Sequence, residues 1–284
     1  MQTTAPATPN VASAEDAFSG GSAYFVAIAN QKGGVAKTTT SINLAAALGA
    51  LEKRVLLVDC DPQGNATRGL DLDAGDTHLY HLLMGQCSLD EALVETDFPG
   101  LWVLPADREL VGAEVEFVNV EDWQYTLRRR LRGEGSELGL NERFDLVFLD
   151  CPPSLGHLTV NALVAADEVV VPLQAEFFAL QGISELVATV QRVKTALNPK
   201  LEIGGILLTM VDKRTNLSQE VADDVRRFFE GKVYTAQVPR NVRLAEAPSH
   251  GLPIIEYDIK SSGAEAYLAV AREFLQRLGG REVA

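Results

Sequence analysis

The segment from Lys32 to Thr39 has the residue types of a phosphate-binding loop. Two consecutive glycines, Gly33 and Gly34, let backbone N–H groups approach an anion without a Cβ in the way. Lys37 can reach the β- and γ-phosphates of a nucleotide, and the Thr38 hydroxyl can ligate a divalent cation. We therefore predict that this loop binds a nucleotide through Gly33, Gly34, Val35, Ala36, Lys37, Thr38 and Thr39.

The elements on both sides of the loop are predicted to hold it in place. Residues 24–29 form a short apolar run typical of a buried strand, and residues 38–51 carry apolar side chains at mainly helical spacing. A strand, a glycine turn and a helix together direct backbone N–H groups and the helix dipole at an anion. The standard pattern G-x-x-x-x-G-K-[ST] is not met, because Gln31 and Ala36 occupy its glycine positions. We expect Ala36 to be tolerated there with a negative φ.

Three aspartates follow two further apolar runs. Asp59 ends the run from Lys53 and is followed at the second position by Asp61, whereas Asp150 ends the run from Phe144. Because the carboxyl ends of parallel strands face the ligand crevice, these carboxylates should lie near the phosphates. We predict a Mg²⁺ site made by Thr38, Asp59 and Asp150.

Length, composition and charge exclude several classes of protein. At 284 residues and 46% hydrophobic, the chain can bury one large core, and no apolar run approaches the ~18–20 residues that cross a bilayer. Residues 1–22 lack the features of a signal peptide and are predicted to be a disordered tail before a single domain at residues 23–280. Three cysteines without C-x-x-C spacing indicate reduced thiols and a cytoplasmic protein.

Strands and helices alternate along the whole chain, which predicts an α/β fold with a doubly wound, mostly parallel sheet flanked by helices. Among the later elements we expect helices at residues 78–84 and 88–94 and a strand at residues 233–239. His78 and His81 stand three residues apart and could be two metal ligands. No carboxylate or cysteine accompanies them at a matching spacing, so a surface helix is the favoured interpretation.

Several motifs in order resemble those of one family. The phosphate loop resembles the deviant Walker A motif of P-loop NTPases in the ParA/MinD superfamily, and residues 24–278 look like a ParA/Soj-type chromosome or plasmid partition ATPase. The motifs that carry this resemblance after the loop are Asp59-Cys-Asp-Pro-Gln, Asp150-Cys-Pro-Pro-Ser, Thr209-Met-Val-Asp-Lys-Arg-Thr-Asn-Leu and Val238-Pro-Arg-Asn-Val-Arg-Leu-Ala-Glu-Ala-Pro-Ser-His-Gly. The last is the most telling, since phosphate chemistry does not require it.

The resemblance implies an ATP-driven switch that uses ATP and Mg²⁺. Two monomers would form a homodimer with ATP sandwiched between them, in which Lys32 reaches the phosphates of the other subunit and Lys37 those of its own. Asp61 would position the attacking water, and adenine would lie near Met210 and Pro239. The dimer would bind double-stranded DNA without sequence preference on the nucleoid, until a ParB-type partner stimulates hydrolysis.

The predicted DNA-binding residues lie in a segment whose charge is opposite to that of the chain. Residues 213–243 carry a net charge of +3, whereas the whole chain carries −14. Arg214 and Arg243 match family positions that serve DNA binding, and guanidinium groups suit phosphate oxygens. We add Arg240 and Lys232 to this predicted site. A solvated helix face with a few arginines is the simpler alternative.

Three related functions remain as alternatives. A nucleoid-based ATPase that positions protein clusters or organelles would share ATP and DNA binding and differ in its cargo. A MinD-like membrane ATPase would need a basic amphipathic C-terminal helix, but Gly279 and Gly280 interrupt the sequence there. A reductase like the nitrogenase iron protein would need cysteines at a dimer interface. Cys60 and Cys151 directly follow the motif aspartates instead, so no stable membrane association and no iron–sulfur cluster are expected.

Overall fold

The computed structural model describes residues 22–133, 140, 143–176, 179–212, 214 and 216–280. Residues 1–21 of the predicted tail and Lys213 of the basic segment lie outside these described residues. Within them, no helix has the length and apolar character needed to cross a lipid bilayer.

Seven strands in the described residues form one sheet: β1 (Tyr24–Ile28), β2 (Val55–Asp59), β3 (Val94–Glu95), β4 (Leu101–Leu104), β5 (Leu146–Asp150), β6 (Glu168–Gln174) and β7 (Glu202–Thr209). Their spatial order is β3-β4-β2-β5-β1-β6-β7. Only β3 pairs antiparallel, with β4, and the other neighbours run parallel. The predicted doubly wound, mostly parallel sheet is thereby confirmed.

Helices cover both faces of this sheet. They are α1 (Lys37–Ala50), α2 (Asn65–Arg68), α3 (Leu79–Met84), α4 (Leu89–Ala92), α5 (Val111–Glu116), α6 (Thr126–Arg132), α7 (His157–Ala165), α8 (Ala179–Ala196), α9 (Asn216–Phe228), α10 (Val242–Glu246), α11 (Ile254–Tyr257) and α12 (Ser262–Gly279). Alternate strand residues point to opposite faces. In β1, for example, Phe25 joins the core beneath α7 and α8, whereas Val26 joins the core beneath α1 and α12.

The register of the central strands brings the motif residues to one edge. Asp150 is paired with Ile28 of β1 on one side and with Asp59 of β2 on the other. All three residues therefore lie at the same level of the sheet, where β1 continues into the glycine loop. The parallel arrangement thus gathers the loop and the aspartates, as the sequence predicts.

Two expected elements differ in the structure. Residues 233–239 form no strand, although isolated bridges join Val233 to Ile206 of β7 and Pro239 to Val211 just beyond it. Between these bridges, the N–H groups of residues 235 and 236 donate to the carboxylate of Glu273 on α12, so a helix side chain replaces the neighbouring strand. The helix expected at residues 88–94 ends at Ala92 and is followed by the short strand β3.

Candidate functional site

The phosphate loop between β1 and α1 is tied to β6 and β7 by side-chain hydrogen bonds. Asn30 donates through Nδ2 to the carbonyl of Pro172 in β6 (2.8 Å), and its Oδ1 accepts the N–H of Lys32 (3.0 Å). Thr209, at the end of β7, donates its hydroxyl to the carbonyl of Val35 (3.1 Å). Hydrogen bonds to β6 and β7 therefore hold the loop in shape without a ligand.

The two glycines leave one side of this loop open. A Cβ added to Gly33 or Gly34 would have no atom within 4 Å, and Gly34 has a φ of +73°. Next to them begins α1, whose first backbone N–H groups have no partner within the helix and carry the positive end of its dipole. An anion can therefore approach the backbone here, which fits the predicted phosphate position.

Ala36 departs from expectation. Its φ is +67° and its ψ +35°, which is the left-handed region, whereas we expected a negative φ. Ala36 is the N-cap of α1, where its carbonyl accepts the N–H of Thr40 (2.9 Å), while the preceding residue is tied to β7, so the chain turns into the helix at this residue. A left-handed alanine costs about 1–2 kcal/mol, which the anchored loop has to sustain.

The two loop lysines have different environments. Lys37 is 8% exposed, and its Nζ donates to the carbonyl of Lys32 across the loop (3.2 Å). Burial lowers the pKa of Lys37, an effect opposed by the negative charge of Asp150. Lys32 instead extends over the surface, where its Nζ lies 2.8 Å from a carboxylate oxygen of Glu176. One lysine thus faces the interior of the loop and the other faces outward.

The three residues predicted to hold Mg²⁺ are brought together around Asp150. Thr38 donates its hydroxyl to Asp150 Oδ2 (2.8 Å), and Ser41, one helical turn later on α1, donates to Oδ1 (2.7 Å). Sequence reasoning missed Ser41, although its spacing of three residues from Thr38 places both on one helix face. Asp59 lies opposite Asp150 in the sheet.

Asp59 is occupied by structural hydrogen bonds. Its Oδ2 accepts both the N–H (2.9 Å) and the hydroxyl (2.8 Å) of Thr67, and its Oδ1 accepts the N–H of Asp61 (3.2 Å). The Thr67 hydroxyl in turn accepts the N–H of Ala106 (3.0 Å). Thr67, which the sequence does not single out, therefore links Asp59 to the segment after β4.

The charges of this pair suit a divalent cation. Asp59 and Asp150 are both 0% exposed. Burial raises the pKa of each carboxyl, and the negative charge of Asp59 raises the pKa of Asp150 further. Two buried carboxylates close together favour a hard divalent cation such as Mg²⁺, since Lys37 supplies only a single positive charge near them. The residues present therefore fit the predicted metal.

The first prediction concerns Asp150→Asn in the absence of nucleotide. A carboxyl whose pKa is raised by folding contributes stability at low pH that is lost as the pH rises through the folded pKa. The variant lacks this ionisation, so we expect its Tm to exceed that of the wild type by more at about pH 8 than near pH 5, because the stability is lost between the unfolded pKa of 3.8 and the folded pKa of about 7. Thermal unfolding at both pH values measures this. An equal difference in Tm at the two values would contradict a raised pKa of Asp150.

Asp61 lies directly beyond β2 with a freer carboxylate. It is 7% exposed, and its Oδ1 accepts the N–H of Gln63 (2.9 Å) in the turn that follows. Among the described residues, no hydrogen bond engages its other carboxylate oxygen. Asp61 therefore has one carboxylate oxygen that is available to a ligand, whereas both oxygens of Asp59 accept hydrogen bonds.

The residues predicted to contact adenine lie beyond β7. Met210 follows the strand in the left-handed region (φ +51°), and the next residue, Val211, is bridged to Pro239. An open cleft of about 410 Å³ lies beside them and is lined by Val211, Gln237, Pro239, Ser262, Glu265 and Ala266. The structure thus places Met210 and Pro239 in one neighbourhood.

Three of the four residues predicted to contact DNA lie beyond the carboxyl end of β7. Two of them, Arg214 and Arg243, form ion pairs with carboxylates. Arg214 donates to both carboxylate oxygens of Asp212 (2.9 and 2.7 Å), which holds the pKa of Asp212 well below its usual range. Arg243 donates to Glu246 (2.9 Å), with Asp258 3.6 Å away. Arg240 follows Pro239 and donates its N–H to the carbonyl of Val211 (3.3 Å).

Arg214, Arg240 and Arg243 are called the arginine group below, and Lys232 is not part of it. Its Nζ donates to the carbonyl of Ile203 (2.9 Å), at the amino end of β7. The strand has 8 residues, so this position lies roughly 25 Å from the arginine end. The sequence segment 213–243 is one stretch of positive charge, but the fold divides it between two ends of the sheet.

Known proteins share this fold and sequence. Residues 23–203 match a family described as an AAA domain. The chromosome partitioning protein ParA of Caulobacter vibrioides is 51% identical over 259 residues, which cover 90% of this chain and 96% of that protein. The sporulation initiation inhibitor protein Soj of Bacillus subtilis is 49% identical over 250 residues, covering 87% and 96%.

A solved structure with a similar fold contains a nucleotide and magnesium. Cobyrinic acid a,c-diamide synthase from Mycobacterium smegmatis, with bound ADP and magnesium, has a TM-score of 0.77 and 39% identity, covering 89% of this chain and 94% of that one. The partition proteins are more similar in sequence and are covered almost completely. This chain belongs to the ParA/Soj family of partition ATPases.

Proposed function

We propose that the protein is a Mg²⁺-dependent ATPase that segregates DNA. The observation that carries this proposal is the convergence of the glycine loop, Lys37 and the aspartates at one edge of the sheet. Relatives about 50% identical are named chromosome partitioning proteins, and a similar structure contains ADP and magnesium. That structure is named as a diamide synthase, but it is 39% identical to this chain, whereas the partition protein ParA is 51% identical, so the proposal follows the partition proteins.

Residues of the loop and of the ends of β2 and β5 have separate roles in nucleotide binding and hydrolysis. Lys37 and the N–H groups at the start of α1 bind the β- and γ-phosphates. Thr38 and Asp150 hold Mg²⁺, which when bound neutralises charge that develops on the transferred phosphoryl group. Asp61, with its freer carboxylate oxygen, orients the attacking water.

Lys32 acts in the ATP-dependent homodimer. Its side chain lies on the surface, so it can reach a second subunit, whereas Lys37 is confined to its own loop. In that dimer Lys32 contacts the phosphates of the opposite subunit, as an arginine finger does in other NTPases. It must first leave Glu176, and exposed ion pairs of this kind are worth only about 0–1 kcal/mol.

DNA binds to the arginine group at the carboxyl end of β7. Phosphate contacts carry no sequence information, so binding is non-specific and weakens with salt. ATP-driven pairing doubles the number of arginines that meet one duplex. The dimer is released when ATP is hydrolysed, a step that a ParB-type partner stimulates, and the protein is therefore found on the nucleoid.

The test compares Arg243→Glu with Lys232→Glu, which makes the same charge change at the far end of β7. With ATP, we expect Arg243→Glu to lower the affinity for any duplex at least about tenfold, and to reduce the slope of log K against log salt by about 2 per dimer. Lys232→Glu should change the slope little. Fluorescence anisotropy over a salt series measures both, and sizing with ATP checks that each variant still dimerises.

Equal losses in the two variants would mean that net charge, not the arginine group, controls binding. Arg214→Glu is expected to act in the same direction as Arg243→Glu with a smaller effect, since Asp212 holds two of the three guanidinium nitrogens of Arg214. Unchanged affinity in both arginine variants would place the DNA face elsewhere.

A related ATPase that positions protein clusters or organelles on the nucleoid is the second candidate. It would share the nucleotide site and the arginine group and would differ in the partner that stimulates hydrolysis. A gene for a ParB-type protein beside this one favours partition. Stimulation of ATP hydrolysis by that purified ParB-type protein with its DNA site is the direct test, and its absence would favour the other cargo.

A further inference from the structure

We infer that His78, His81 and Glu109 form a binding site for a divalent transition metal of the zinc class, separate from the nucleotide site. One ligand atom from each of the three residues lies within 4.8 Å of the others. The sequence shows the two histidines without a carboxylate at matching spacing. The fold supplies it from residues 107–110, which follow β4 and pack against the start of α3.

The distances are close to those of a metal centre. Zn–N and Zn–O bonds of about 2.0–2.2 Å in a tetrahedron put neighbouring ligand atoms roughly 3.3–3.6 Å apart. Glu109 Oε2 lies 3.5 Å from His78 Nε2 and 3.8 Å from His81 Nε2. Asp107 Oδ1 lies 3.3 Å from His78 Nε2 and offers a fourth ligand. The separations of Glu109 from the two histidines therefore lie within a few tenths of an ångström of those in a zinc site.

His81 has the environment of an unused ligand. Among the described residues, its Nδ1 is buried without a hydrogen-bond partner, and its Nε2 is beyond hydrogen-bond distance from Glu109. Its ring packs edge-on against those of His78 (4.5 Å between centroids) and Tyr80 (5.3 Å). Packing thus fixes the ring, while a buried polar atom left unpaired is costly in a native structure.

His78 is nearly fully buried and rigidly placed, with 1% of its surface exposed. Its Nδ1 accepts the N–H of Tyr80 at 3.4 Å, so in the neutral ring the Nε2 proton points at the two carboxylates. Ligation through Nε2 displaces that proton to Nδ1 and costs this long hydrogen bond. Two imidazoles and a carboxylate favour Zn²⁺ over Mg²⁺, which prefers oxygen ligands.

The test measures zinc binding to the untagged, full-length protein in excess Mg²⁺ without nucleotide, so that the aspartate site does not compete. Competition with a chromophoric chelator should show one Zn²⁺ per chain, and zinc should raise the Tm. We expect His81→Gln and Glu109→Gln each to weaken zinc binding at least about tenfold, by analogy with the loss of groups that support metal ligands. Both residues are partly exposed, so these variants should fold.

The controls are His250→Gln, an exposed histidine outside the cluster, and Cys87→Ser, a partly exposed thiol. Both should bind zinc as the wild type does. No tight equivalent of zinc in the wild type would overturn the inference. So would unchanged binding in both cluster variants, or a loss confined to Cys87→Ser.

Discussion

Asp61→Ala is expected to lower the rate of ATP hydrolysis by about 10²–10⁴-fold, the usual cost of removing a group that orients or deprotonates a nucleophile. The variant should still bind ATP and dimerise, because the phosphate loop is anchored by Asn30 and Thr209 and does not depend on Asp61. It should therefore accumulate as an ATP dimer that stays on DNA. Single-turnover hydrolysis, sizing with ATP and DNA release measure the three properties.

Asp61→Asn is the matched control for the negative charge. The amide oxygen can still accept the N–H of Gln63, so the turn after β2 is kept and only the charge is removed. Asp59→Asn should behave differently, since Asp59 accepts three hydrogen bonds and its loss should lower the Tm as well as the rate. Normal turnover in both Asp61 variants would exclude Asp61 from the reaction.

Lys37→Ala is expected to weaken ATP binding about 10- to 150-fold, the equivalent of a charge-assisted hydrogen bond worth about 1.5–3 kcal/mol. Lys37 is the buried cation of the loop, and no other lysine is buried in the part of the chain that the structure describes. Lys32→Ala should keep most of the affinity and lose ATP-driven dimerisation and hydrolysis. Lys260→Ala, at an exposed lysine elsewhere, serves as the control. Nucleotide titration and sizing with ATP separate the two roles.

Two outcomes would contradict this division of labour. If Lys32→Ala dimerises and hydrolyses ATP normally, then Lys32 does not act across the dimer. If Lys32→Ala and Lys37→Ala lose nucleotide affinity equally, both lysines serve the same loop, and the outward position of Lys32 beside Glu176 has no role in the dimer.

The elements that carry the nucleotide motifs could be predicted because their signals are local. An apolar run followed by two glycines and a helical pattern predicts β1, the loop and α1, and the structure agrees within one residue at each end of both elements. Asp59 and Asp150 could be placed together because parallel strands end at one edge of a sheet.

What the sequence did not reveal depends on residues distant in the chain. Residues 233–239 have the composition of a strand, but Glu273 accepts the N–H groups of residues 235 and 236. Ala36 has a positive φ although alanine disfavours it, because anchoring of the loop to β6 and β7 outweighs local preference. Glu109 meets His78 and His81 only because the segment after β4 folds over the start of α3.

The carboxylate partners of the arginines have a consequence for how sharply DNA binding can be switched. Because Arg214 and Arg243 are already neutralised by acidic neighbours, a phosphate must compete with Asp212 or Glu246, and each contact gains little free energy. A lone monomer then has a low intrinsic affinity. Joining two such weak surfaces gives the second a high effective concentration once the first is bound. The acidic partners therefore keep DNA binding by the monomer weak, so that dimerisation determines how much protein is bound to DNA.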